Sequence, residues 1–240
     1  MAMSSSAPST FKNVLLSKLS PEALSTLSLQ ALDLPVDLVL YEPNKPIEHV
    51  YFPEQGVLSV VALLENGGSI EVGTVGREGM IGSLLLLEID ASPYKHFVQV
   101  GGHGYRASAD RFKELAENSK IFRDLILRYE ASFRTQTMQG MACNGMHNIE
   151  QRCCRWLLMT RDRVDSDDLK LTHEFPGLML GVRRSSVTDV LGPLQAAGLV
   201  TSVRGTITIL DRKGLEALAC ECYRIMAARE QWGDESTGVK

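Results

Sequence analysis

The sequence predicts an α+β protein whose strands and helices are sorted along the chain rather than alternated. Three observations carry this. Short β-like runs separated by turn residues fill Leu34 to Ala107. Helical periodicity takes over at Ser108 and continues to about Arg163. From Leu171 to Leu210 the chain then reads as a pair of short helices closed by a β hairpin.

The β-like runs are Leu34 to Tyr41, Glu48 to Phe52, Val57 to Leu64, Ser69 to Val75, His96 to Val100 and Gly104 to Ala107. They are broken at Pro43-Asn44, Pro53, Asn66-Gly67-Gly68, Gly76 and Gly101-Gly102, and such regular spacing suggests a sandwich or small barrel. Asn66-Gly67 suits a hairpin turn because both residue types tolerate positive φ. A short helical stretch, Pro21 to Gln30, precedes the runs.

Ser108 can cap the helical region that follows. Phe122, Leu125, Tyr129 and Phe133 recur at three and four residues, so one face is apolar. Periodicity alone leaves two uses for that face: packing on the β domain, or a dimer seam. A break is expected between Gly145 and Asn148, where Asn148 with Gln151 can form a capping box for a new helix, Ile149 to Arg163. Met138, Met141 and Met146 read as helix packing rather than a cofactor site.

In 240 residues, 44% hydrophobic and 22% charged, there is material for one large domain or two ordinary ones. The longest apolar stretch, Met80 to Leu87, contains Gly82 and Ser83 and stops at Glu88, too short to cross a bilayer. Met1 to Thr10 is rich in Ser, Ala and Pro without the basic-then-apolar order of a secretory signal, so a loose tail on a cytoplasmic protein is expected. The formal net charge of −4 argues against a chain that coats nucleic acid along its whole surface. Between Lys170 and Lys213, however, Lys170, Arg183, Arg184, Arg204, Arg212 and Lys213 outnumber Glu174, Asp189 and Asp211. One segment is basic within an acidic protein.

That segment has a physical logic. Thr172 caps a first helix of about two turns, and Gly181 can take the positive φ of a tight turn between steeply crossed helices. A second helix starts near Arg183, with Val187, Val190, Leu191 and Leu194 facing inward. Arg183, Arg184, Ser185, Ser186, Thr188 and Asp189 remain near its exposed start, where guanidinium forks and hydroxyls could meet bases and phosphates in a major groove. Gly198 ends the helix, and Arg204-Gly205 between two β runs would place Arg204 at the tip of a wing. Together these parts point to a DNA-reading unit rather than to an enzyme.

On these residues the chain resembles the Crp/Fnr superfamily of transcription regulators, over roughly Leu34 to Tyr223. The resemblance implies an N-terminal double-stranded β-helix, a jelly-roll-like β-roll of the cyclic-nucleotide-binding type. It further implies a long dimerisation helix, with the dimer seam along about Phe122 to Met146 and a hinge near His147 and Asn148, and a C-terminal winged helix-turn-helix. The expected division is a flexible tail over 1–20, a sensor domain over 21–117, a dimerisation helix and hinge over 118–147, a DNA-binding domain over 148–230 and a tail over 231–240. A homodimer would place two recognition helices, residues 183–195, in successive major grooves about 34 Å apart, on a two-fold symmetric site. Arg184 matches the family's base-reading arginine. Arg183 and Ser186 fall at phosphate contacts, and Thr172 and His173 lie beside the backbone. Ser185 and Asp189 stand where cyclic-AMP-responsive members carry other base-reading residues, and Gly192-Pro193 should kink or shorten the helix's far end.

Gly76 to Leu84 resembles the family's phosphate cassette, which implies an effector pocket around Arg77, Glu78, Gly79, Gly82 and Ser83. The cassette is incomplete. Ser83 stands where nucleotide binders have a ribose-binding glutamate, and Tyr94 to Val98 lacks the arginine that pairs with the cyclic phosphate, so weak or no cyclic-AMP binding is expected. RNA polymerase and a small-molecule effector are further partners that the family admits. A competing reading is a small-molecule sensor acting mainly through protein contacts.

All five cysteines, Cys143, Cys153, Cys154, Cys220 and Cys222, lie in the second half, whereas the resemblance implies an N-terminal cysteine cluster for oxygen sensors, so iron-sulfur sensing of that kind is not expected and reduced thiols are. None has the Cys-x-x-Cys spacing of common zinc sites and no pair of histidines is close in sequence, so no metal or other cofactor is expected. His49, His96, His103, His147 and His173 are scattered, without a triad or a carboxylate pair. No catalytic residue is expected.

Overall fold

A computed structural model describes residues 11–171, 177 and 184–230, with 184–188 and 229–230 as backbone only. The N-terminal half is built on β1 (Gln30–Leu34), β2 (Val39–Tyr41), β3 (His49–Leu63), β4 (Ser69–Val75) and β5 (Lys95–Ser108). They form one antiparallel sheet in the order β1-β5-β3-β4, with β2 also paired to β5. The α+β fold is the expected one, but the strand count differs. Pro53 and Gly101-Gly102 do not end strands. They sit where β3 and β5, paired from His49↔Ser108 to Val61↔Lys95, shift register through a succession of bulges. The backbones approach there so closely that a Cβ on Gly102 would lie 2.1 Å from the Gln55 carbonyl oxygen. Glycine at 102 is what lets two long strands bend together instead of stopping.

The β3–β4 hairpin also differs in detail. Only Gly67 (φ 81°) is left-handed, Asn66 is not, and the loop closes through Leu64 N–H to Gly68 O at 2.8 Å. The chain is ordered well before residue 21, which corrects the expected tail over 1–20 for residues 11–20. Leu15 and Leu16 are fully buried. Buried Asn13 donates to the Pro53 and Gly79 carbonyls at 3.0 and 2.8 Å, and its Oδ1 accepts from the Leu15 and Leu16 amides at 3.1 Å. Ser, Ala and Pro bias describes only the first ten residues, and two leucines beside a fully satisfied asparagine hold the next ten.

The helical region is three helices: α2 (Ala109–Asn118), α3 (Lys120–Met146) and α4 (Ile149–Val164), after α1 (Pro21–Leu27). Ser108 caps α2, Ser119 caps α3, and Asn148 with Gln151 forms the expected capping box on α4. The face of α3 carrying Phe122, Leu125, Ile126 and Tyr129 is buried in the core of its own β domain, with Leu34, Phe52, Leu58 and Phe112. This face therefore packs within the chain, and the dimer seam along Phe122 to Met146 that the resemblance implies does not run over Phe122, Leu125 and Tyr129, because the chain's own β domain already buries them. The stripe Leu127, Ala131, Arg134, Met138, Met141 and Gly145 is not covered by the chain's own β domain; Met138 is 55% exposed and Met141 72%. Met138, Met141 and Met146, expected to serve helix packing, are exposed within one chain, so a packing role for them needs a second helix.

The C-terminal half holds β6 (Asp168–Lys170), α5 (Arg184–Ala196), β7 (Val200–Val203), β8 (Thr206–Ile209), α6 (Arg212–Leu218) and α7 (Cys222–Glu230), with sheet order β6-β8-β7. Its core gathers Trp156, Leu157 and Leu158 of α4 with Leu169, Leu194, Val200 and Ile207, and reaches back to Val57, Val61, Phe97 and Val100 of β3 and β5. Cys153 and Cys154 are buried there, and burial pushes their thiols up to about 12 and about 11, favouring the neutral thiol over the thiolate. Among the described residues no helix is long and apolar enough to cross a membrane.

Candidate nucleic-acid interface and effector region

The wing is as the dipeptide predicts. Arg204 (φ 47°) and Gly205 (φ 79°) are both left-handed between the paired residues Val203 and Thr206, a two-residue turn whose handedness matches the strand twist. Arg204 is exposed at its tip. Val190, Leu191 and Leu194 of α5 are buried, as expected of its inward face, while Asp189 is exposed. Arg184, Ser185, Ser186 and Thr188 lie on the first turns of α5, whose backbone alone is described there. Thr172, His173, Gly181 and Arg183 lie outside the described residues. Pro193 removes one helical hydrogen bond, yet α5 runs on to Ala196, so the proline does not end the helix at its own position. Arg212, counted in the basic segment, is taken up elsewhere: it donates to Asp162 Oδ1 at 2.5 Å, Glu216 Oε1 at 2.7 Å and the Tyr223 hydroxyl at 2.7 Å. The positive surface is smaller than the sequence count.

The structure brings the five cassette residues together but turns the side chains of Arg77, Glu78 and Ser83 toward helices. Arg77 forks onto Asp165, just past the end of α4, and reaches the Asp162 carbonyl at 3.1 Å. The same guanidinium holds the Asp165 carboxyl below its ordinary range. Glu78 is buried and accepts from the Gly76 amide and from Arg163 Nε, both at 2.9 Å. Gly79 leaves the space filled by the Tyr129 ring, which a Cβ there would meet at 2.2 Å, and the Tyr129 hydroxyl donates to the Met80 carbonyl at 2.8 Å. Gly82 (φ 106°) turns the chain, and Ser83 Oγ bonds Glu130 of α3. The pattern of glycines in this segment was visible in the sequence. Arg163, Asp165, Tyr129 and Glu130 were not, because their partners lie 47 to 88 residues away.

A cleft between β4, α3 and α4 is lined by Glu71, Thr74, Gln136, Thr137, Arg155 and Met159. Glu71 accepts from Ser59 Oγ at 2.6 Å and Gln99 Nε2 at 3.2 Å. Burial raises its carboxyl to about 7, against the opposing pull of these donors and of Arg155 and Arg163. A raised acid favours the folded state while it is protonated, so its contribution is full below about pH 4.5 and is lost as pH rises through about 7. Glu71→Gln should therefore remove a loss of about 2 to 3 kcal/mol between pH 5 and 8. Urea midpoints of both proteins across that range check it, and parallel curves would show a Glu71 that stays ionised when folded.

The described residues also gather Cys143, His147, Cys220 and Cys222, although the spacing rule led to no expected metal ligand.

Two family models match: a cyclic nucleotide-binding domain over residues 33–119 and a Crp-like helix-turn-helix domain over 151–218. No curated protein matches the chain. Among solved structures, a transcriptional regulator of the Crp/Fnr family from Eubacterium rectale is 21% identical, with a TM-score of 0.67 over 85% of this chain and 96% of its own. FixK2 from Bradyrhizobium japonicum is 16% identical, with a TM-score of 0.68 over 80% of this chain and 98% of its own. The c-di-GMP responsive global regulator CLP of Xanthomonas campestris is 16% identical, with a TM-score of 0.65 over 80% of this chain and 100% of its own. These likenesses agree in fold, and the two family models occupy the two halves that the long helix joins, well over half of the chain. With its cyclic nucleotide-binding-type β domain, connecting helix and winged helix-turn-helix in that order, the chain belongs to the Crp/Fnr family of transcription regulators.

Proposed function

We propose that the protein is a cytoplasmic, homodimeric regulator that reads a two-fold symmetric DNA site, with a sensor over 21–117, a dimerising helix over 118–147 and a reading domain over 148–230. The observation that carries the dimer is the second stripe of α3. Leu127, Ala131, Arg134, Met138 and Met141 recur at four and three residues on the side its own β domain leaves open, the spacing of a two-helix seam. Two copies joined there would present two α5 helices to one face of a duplex. Arg184 forks onto a base, Arg183, Ser186, Thr172 and His173 hold phosphates, and Arg204 reaches the backbone from the wing. Ser185, Thr188 and Asp189 set the rest of the base preference. RNA polymerase is the partner that would convert DNA binding into regulation. The protein acts as a binder and catalyses no reaction.

Cyclic AMP is not its effector in this reading. Arg77 is engaged by Asp165 and Ser83 by Glu130, so neither side chain is directed toward a nucleotide. Calorimetry that finds a micromolar cyclic-AMP site dependent on Arg77 would overturn it. The test of DNA reading is Arg184→Ala. Specific binding at about 150 mM salt should weaken by about 1 to 3 kcal/mol while non-specific binding changes little. Genomic fragments retained by the wild type should share a palindrome that the variant no longer enriches, and unchanged enrichment would remove Arg184 from the reading surface.

A further inference from the structure

We propose that Cys143, His147, Cys220 and Cys222 form a tetrahedral zinc site that clamps α7 to the end of α3, at the hinge before the DNA-binding domain. The four candidate ligand atoms all lie within 4.8 Å of one another. Cys143 Sγ is 3.5 Å from Cys220 Sγ, and Cys222 Sγ is 3.6 Å from His147 Nδ1. Zinc bonds of about 2.3 Å to sulfur and about 2.0 to 2.1 Å to nitrogen make tetrahedral edges of about 3.8 Å between sulfurs and about 3.6 Å between sulfur and nitrogen. The Cys143–Cys220 and Cys222–His147 separations are already close to such edges, and no two ligand atoms are more than 4.8 Å apart. They sit too close together to hold the separate irons of a cluster. Three thiolates and one imidazole are a donor set of soft, closed-site type, which suits zinc.

The surroundings fit the same ion. All three cysteines are at most 4% exposed and form a small core of their own. His147 presents Nδ1 to the site, while Nε2 lies 3.2 Å from Glu221 Oε2, the carboxylate that holds a ligating imidazole in its tautomer. Gln139 Nε2 donates to Cys222 Sγ at 3.1 Å, as an amide does to a thiolate. On binding, three thiols each lose a proton to water and the neutral imidazole keeps its Nε2–H, leaving Zn²⁺ with three thiolates at net charge −1. The Arg152 guanidinium is close enough to feel the charge of Cys143 and Cys220, and offsets it.

The placement gives the site a role, which rests on the DNA-binding reading above. Cys143 lies in the last turn of α3 and His147 is its C-cap, while Asn148 caps α4; Cys220 and Cys222 lead into α7. One ion therefore fixes the angle at which the reading domain leaves the long helix, and its removal frees that angle.

Full-length protein, purified reduced and dialysed without chelator, should carry about one zinc per chain by elemental analysis. Cobalt exchanged into it should show the sulfur-to-cobalt charge-transfer and intense d–d bands of a tetrahedral thiolate site. Cys220→Ser with Cys222→Ser should abolish both signals, while Cys153→Ser should keep them; Glu221→Gln should weaken metal affinity about 10- to 100-fold without removing the spectrum. The cobalt spectrum of the wild type stands even if a variant misfolds. Folded wild type that takes up neither metal, or that forms a Cys143–Cys220 disulfide in place of binding zinc, would overturn the site. Stoichiometric zinc whose removal leaves DNA affinity unchanged would keep the site and overturn the hinge role.

Discussion

Arg163→Met is expected to destabilise the folded protein by about 3 to 5 kcal/mol, because it leaves a carboxylate buried without its ion-pair partner. Arg163 is 2% exposed, and its Nε donates to Glu78 Oε1 at 2.9 Å. Its stem also fills the space where a Cβ on Gly76 would come within 2.6 Å. Methionine restores much of that volume but none of the charge. Glu78→Gln in the same chain should recover a large part of the loss, since the remaining amide costs far less to bury than a carboxylate. Urea midpoints for the two single variants and the double variant complete the cycle, and a single-variant loss under about 1 kcal/mol would show that water reaches the pair. Arg163 also lowers the Glu71 carboxyl, so the same substitution should move the Glu71 titration upward. The pair ties the cassette to α4, so breaking it should loosen the β domain from the C-terminal half.

Tyr129→Ala should cost about 3 to 5 kcal/mol by the same measurement. The ring is buried in the cradle that Gly79 leaves, stands 6.1 Å from the Phe133 ring, and donates its hydroxyl to the Met80 carbonyl. Tyr129→Phe keeps the packing and leaves that carbonyl without the hydroxyl, for about 0.5 to 1.5 kcal/mol. If the two variants cost the same, the hydrogen bond and not the packing holds α3 to the cassette. Filling the cradle from the other side with Gly79→Ala should destabilise as well, by about 1 to 3 kcal/mol, because a ring held at both ends cannot move aside.

What was legible in the sequence is what is decided within a few residues. Arg204-Gly205 marks its turn because Gly205 takes left-handed backbone without cost, and Arg204 is carried into the same region beside it. Asn148 and Gln151 specify the start of α4 because a capping box closes over three residues. The order of β domain, long helix and winged unit follows from the change of hydrophobic period at Ser108 and from the basic segment after Lys170. Pro53 and Gly101-Gly102 misled because the same residues that end a strand also permit a bulge, and only the pairing of β3 with β5 selects between them. The apolar face of α3 could have served packing or dimerisation, and it was the β domain's own core that claimed Phe122, Leu125 and Tyr129. Cys143 and Cys220 stand 77 residues apart, so no spacing rule could join them. By itself, then, the sequence determined the order of β domain, long helix and winged unit, the helix caps and the wing turn, since local backbone preference and periodicity need no distant partner. The tertiary structure alone decided which face of α3 is free, which helices the cassette grips and where Cys143, His147, Cys220 and Cys222 meet. Each of those depends on contacts between residues far apart in the chain, and local sequence carries no record of them.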